Sequence, residues 1–167
     1  MPFLRLAKSG VAAVLFSLTA LSLSGPALAG YVNCVQFVRQ AGAIELSGNA
    51  WMWWPHAKGR YETGQRPHRD AVMVFQRTKA MPSGHVALVR HVLDSRTIVI
   101  EHANWAPRDG AKGRISRDLV RDVSPGNDWT AVRVMYRPTG SFGKTYPTNG
   151  FIHPNPPASF ADPIVEP

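Results

Sequence analysis

The chain has one cysteine, Cys34, among its 167 residues, which excludes any disulfide within the chain. Acidic residues are scarce, with 11 Asp and Glu against 19 Lys and Arg, and the resulting charge of +8 favours an anionic partner by long-range attraction. No apolar run reaches the roughly 20 residues a membrane span requires. The longest, Val11 to Leu23, is interrupted by Ser and Thr. No internal repeat is present, which excludes a solenoid. No nucleic-acid-binding motif accompanies the basic residues, which weighs against nucleic acid as the anion.

What is present begins with an export signature. Arg5 and Lys8 form a basic region, the interrupted apolar run follows, and Ala27-Leu28-Ala29 is a small-x-small cleavage site. Residues 1–29 are therefore predicted to be a secretory signal peptide, leaving Gly30 at the new N-terminus. Tyr31 occupies the place where lipidation would need cysteine. The expectation is a secreted or periplasmic protein with no stable membrane insertion after cleavage. Residues 30–137 are long enough for one domain with one core. Residues 138–167 hold half of the 14 prolines and no sustained apolar period, and are predicted to be an extended or disordered tail.

Exported domains of this size commonly pair their cysteines. An unpaired Cys34 is buried and inert, joined to another molecule, or retained for chemistry. Its surroundings favour chemistry. Asn33 is a good helix N-cap, and Val35, Val38, Ala41 and Ile44 follow helical spacing up to Ser47-Gly48, so Cys34 falls in a first helical turn. Free amide groups there favour thiolate over thiol. A second helix is predicted over Asn49 to Gly59. Strands are predicted over Ala71 to Phe75, Gly84 to Leu93, Thr97 to Asn104 and Thr130 to Arg137, with Arg114, Arg117 and Arg121 in loops. Helices first and an antiparallel meander after them give an α+β fold, N-terminal helices packed on the sheet.

A nucleophilic thiol needs a base. His85 opens the second predicted strand directly after Gly84, and the short Asp94-Ser95-Arg96 turn makes a hairpin that brings it beside His102 and Asn104. The pleat puts Glu101 and Ala103 on the opposite face from His102 and Asn104. Cys34, His85 and a polar orienting residue thus form a thiol, a general base and a group that fixes the imidazole. Cys34, His85 and His102 are also acceptable zinc ligands, which keeps a metal-dependent hydrolase open as an alternative. Trp105 is placed to wall a groove, and Tyr31 and Asn33 to help hold an oxyanion or the substrate.

Asn33-Cys34-Val35 at a helix start, Gly84-His85-Val86-Ala87 on a strand, and His102-Ala103-Asn104-Trp105 at the end of the next resemble the CHAP domain, a branch of the papain-like NlpC/P60 cysteine amidases and peptidases. The resemblance covers most of Tyr31 to Tyr136 and implies a papain-like fold. It also implies peptidoglycan as partner and substrate, no cofactor, and a Cys-His hydrolase cleaving either the muramoyl-L-alanine amide or a stem-peptide bond. In that family the third motif usually reads Glu-x-Asn-Trp. Here His102 occupies the position of the acid, and Cys-His-His triads occur in the wider group. A wall-binding module without turnover is the non-enzymatic alternative.

Overall fold

The computed structural model describes residues 32–105 and 113–154. The N-terminal segment and Tyr31 lie outside these residues. Helix α1, Cys34–Ala41, begins as the sequence predicts: the Asn33 side chain accepts from Gln36 N–H at 2.9 Å while Gln36 Oε1 accepts from Asn33 N–H at 3.3 Å, a reciprocal cap. It stops at Gly42, earlier than predicted, because Gly42 is already extended and its N–H closes the last turn on the Val38 carbonyl at 2.9 Å. Helix α2, Ala50–Ala57, buries Ala50, Trp53 and Ala57. Among the described residues no helix is long and apolar enough to cross a membrane.

Seven strands follow: β1 Glu62–Gly64, β2 Val72–Phe75, β3 His85–Asp94, β4 Thr97–Ala103, β5 Ile115–Asp122, β6 Ala131–Tyr136 and β7 Ser141–His153. The expectation of an α+β, papain-like layer of helices on an open meander is corrected. Strands β2 to β7 close into a six-stranded antiparallel barrel, and the molecule is mostly β. Closure comes from β7. Its first half pairs with β6, Ala131 opposite Pro147, and its second half with β2, Val72 opposite Ile152. Joining the two edges leaves neither to pair with another chain. Residues 141–153 were predicted to belong to a tail outside the domain; they form the strand that completes it.

Strand β5 is the other departure, since Arg117 and Arg121 were expected in loops. Its outward side chains include Arg117 and Arg121 and its buried set is Asp118, Val120 and Asp122, so charges interrupt any apolar run that would mark it. The barrel interior is filled by Met73, Phe75, Ala87, Ile100, Val132 and Phe151. The outer faces of β2, β3 and β4 supply Val72, Val74, Val86, Leu88 and Ala103 to a second cluster, completed by Phe37 and Val38 of α1 and Trp53 of α2. Each large apolar side chain so buried contributes about 1.5–3 kcal/mol. The two helices are thereby fixed against the barrel wall, and the N-terminus of α1 is held at the barrel mouth where β2, β4 and β6 end and β3, β5 and β7 begin.

Candidate functional site at the barrel mouth

The mouth opens into a groove of about 1220 Å³ lined by Cys34, His85, Asn104, Trp105 and Tyr146, among others. Cys34 is the first residue of α1 and is partly buried. The backbone N–H groups of Val86, Val35 and Cys34 itself are near enough to favour its thiolate. Burial pushes the thiol up and these donors pull it down; burial prevails, and the group stands above the ordinary thiol value. The helix terminus alone had implied a favoured thiolate. It does not outweigh desolvation here. The influence of the Val86 N–H, one residue after His85, and the shared groove lining put the sulfur on the side of the strand start that carries the imidazole.

His85 begins β3 because Gly84 permits the turn before it. Gly84 has φ +68°, and a Cβ there would meet Trp51 N at 2.9 Å and Phe75 O at 3.2 Å. Buried with 3% exposure, His85 sends its Nε2 to Nδ1 of His102 at 3.0 Å. His102 is wholly buried in turn, and its Nε2 lies 2.8 Å from Asp118 Oδ2. The same carboxylate oxygen accepts from Ser116 Oγ at 2.7 Å. Three polar side chains from β3, β4 and β5 therefore form one buried line.

The protonation of that line follows from its ends. Burial raises the Asp118 carboxyl, but the hydrogen bonds of His102 and Ser116 and the Arg137 charge outweigh it, so Asp118 is held below the usual carboxylate value. An ionised Asp118 only accepts. His102 must then carry its proton on Nε2. Burial keeps His102 below its ordinary value against the pull of Asp118, so it is neutral and its Nδ1 has a lone pair. That lone pair accepts from His85 Nε2–H. Burial, and then the repulsion that two adjacent imidazolium ions would feel, lowers His85 well below its ordinary value, so it too is neutral and Nδ1 is its basic atom.

The structure thus joins His85 to His102 and adds Asp118, which sequence reading missed. The signal was weak: a single acid in a charged stretch, sixteen residues from His102, and only the β4–β5 register of His102 with Ser116 reveals the proximity. Asn104 lines the groove but does a different job. At φ +62°, its N–H donates to Arg114 O at 3.0 Å and its Oδ1 accepts from Gly113 N–H at 3.2 Å, bracing the chain where β4 leads away. Asn33 likewise spends its side-chain oxygen on the α1 cap. Glu101 projects to the outer face, where it accepts from Arg90 Nε at 2.7 Å and Arg117 Nε at 2.9 Å.

Trp105 covers the relay. Its ring lies 4.7 Å from His85 and is stacked on His102 at 5.3 Å, and Tyr146 of β7 extends the same aromatic wall at 5.0 Å. This wall excludes water from one side of the imidazoles. A zinc site does not suit the donor set: both nitrogens of His102 and one of His85 are engaged within the line, and among the described residues no three His, Cys, Asp or Glu side chains are arranged to hold a metal ion together.

Comparison with known proteins adds three findings. Residues 25–104 match the family model of the CHAP domain. No curated protein matches. Among solved structures, this chain is similar to an N-acetylmuramoyl-L-alanine amidase from Staphylococcus aureus at 25% identity and a TM-score of 0.44, over 62% of this chain and 30% of that one.

Proposed function

We propose that the protein is an exported cysteine hydrolase of the CHAP family that cleaves an amide bond of peptidoglycan, either the muramoyl-L-alanine amide or a bond within the stem peptide, a reading supported by the match of residues 25–104 to the CHAP-domain model. The observation that carries this reading is the buried His85–His102–Asp118 line ending in the groove that also holds Cys34 at the start of α1. Residues 1–29 support export as a cleaved signal peptide, with residues 30–154 as the working domain.

The resting pair is a neutral thiol and a neutral imidazole. His85 Nδ1 takes the proton of Cys34 as the sulfur attacks the amide carbon. Negative charge then develops on the carbonyl oxygen beside the α1 terminus, where the Cys34 N–H stabilises it, the Gln36 N–H being held by the Asn33 cap. Protonated His85 gives its proton to the leaving amine, the C–N bond breaks, and a thioester remains. Water attacks the thioester, losing a proton to His85, and the acid is released with the thiol restored. His102 and Asp118 hold the ring with Nε2–H pointing away from the reaction throughout, and the Asp118 carboxylate, acting through His102, offsets the cost of forming the buried imidazolium.

Two inhibitors test the chemistry. Hydrolysis of purified peptidoglycan is expected to stop after treatment with iodoacetamide and to continue in EDTA. Loss of activity in EDTA with survival of alkylation would overturn the thiol mechanism.

A further inference from the structure

We propose that Lys144 is a substrate anchor that binds a carboxylate of a peptide held in the groove, a proposal that rests on the groove being a hydrolytic site. Family similarity ends at residue 104, whereas the far wall of the groove is built by β6 and β7, through Tyr136, Ser141, Lys144 and Tyr146. Among the described residues lining the groove, none is acidic and Lys144 is the one with a fixed charge. Any ionic selectivity the groove has toward a ligand therefore falls on this side chain.

Its setting suits an anion. Lys144 Nζ rests over the Tyr146 ring, 5.2 Å from the centroid, and among the described residues it forms no ion pair with a carboxylate. A cation over an aromatic face keeps its N–H donors available on the side away from the ring. Tyr146, Trp105 and His85 follow one another at 5.0 and 4.7 Å, so the ammonium stands three ring steps from the imidazole. An extended peptide advances roughly 3.3–3.6 Å per residue. For an extended peptide, the carboxylate that reaches Lys144 is then no more than about four residues from the part of the chain beside His85. The ligand class is a short peptide with a free carboxylate, at its end or on a side chain, lying against the Trp105–Tyr146 wall.

The test uses muropeptides released from peptidoglycan and the same peptides with their carboxylates converted to primary amides. The wild-type protein is expected to favour the carboxylate form by about 10-fold in kcat/KM, mostly through KM, as a charge-assisted hydrogen bond would produce. Lys144→Gln is expected to lose the preference and Lys144→Glu to reverse it, while Lys144→Arg retains it. Equal turnover of both forms by the wild type, or an undiminished preference in Lys144→Gln, would overturn the proposal. Binding to Cys34→Ala, measured by calorimetry, separates the two readings. If the wild type cleaves neither peptide, hydrolysis fails as a reading, and the anchor stands only if the carboxylate form binds about 10-fold tighter to Cys34→Ala than to the Cys34→Ala/Lys144→Gln double variant.

Discussion

His85 Nε2 and His102 Nδ1 lie 3.0 Å apart, both buried, so one imidazole serves as the hydrogen-bond acceptor for the other. The ionised Asp118, 2.8 Å from the far nitrogen of His102, keeps the His102 proton there and so makes His102 the acceptor. Replacing Asp118 by Ala frees His102 to adopt either tautomer. A His102 protonated on Nδ1 would turn two donors toward each other and displace the His85 ring. Asp118→Ala is expected to lower kcat by about 10²-fold with KM little changed, as misplacement of a reacting group does. Nitrogen-15 spectra of the imidazoles provide the independent readout: two fixed tautomers in the wild type, and a mixture in the variant. An unchanged spectrum and kcat would remove Asp118 from the relay.

The thiol titrates high because desolvation exceeds the help of three N–H donors. The rate of Cys34 alkylation by iodoacetamide is therefore expected to climb with pH into and past the ordinary thiol range. A plateau reached below neutral pH would show a thiolate–imidazolium pair at rest instead.

Burial of two neutral histidines links folding to pH. His85 and His102 have depressed values in the folded state, so the unfolded chain binds more protons below the ordinary value of 6.5. The stability tied to them is complete above that value and is lost as pH falls toward the folded-state values. His153, lowered by burial and by His68, acts in the same direction. The melting temperature is expected to fall steadily from pH 7.5 to pH 5, and less steeply in His85→Gln. A flat or rising curve would contradict neutral burial.

Much of the site was legible in the sequence, because local rules govern it. A capping residue before Cys34, a glycine before His85, and the alternation that puts His102 and Glu101 on opposite faces all act within a few residues, and each is seen in the structure. What was not legible depends on distant pairing. β5 hides because its inward residues include Asp118 and Asp122, and β7 hides because its glycines and Pro147 dilute the strand pattern. Closure of the barrel by β7 is a relation between residues about eighty positions apart, Val72 with Ile152, that no local pattern announces.

Gly84 tests how His85 is held. With φ +68° and backbone atoms of Trp51 and Phe75 against its α-carbon, Gly84→Ala must strain the turn and push two segments apart. The expected cost is about 1–3 kcal/mol, with kcat falling more than stability alone explains, because His85 is the next residue. A variant with wild-type melting and activity would show that the turn has slack.

Strand β7 gives a prediction opposite to a tail. Ending the chain at Arg137 removes β7, the shared partner of β6 and β2, and uncovers the interior side chains around Phe75 and Val132. The truncated protein is expected to lack a cooperative melting transition. A cooperative transition near that of the full chain would mean the barrel need not close.

The central claim is that Cys34 is the nucleophile and His85 its base, and the release of new amines from purified peptidoglycan tests it most directly. Residues 30–167 are expected to generate them, Cys34→Ala to generate none, and His85→Ala to be slower by roughly 10²–10⁴-fold. Release by Cys34→Ala at the wild-type rate, or none from the wild type, would contradict the account.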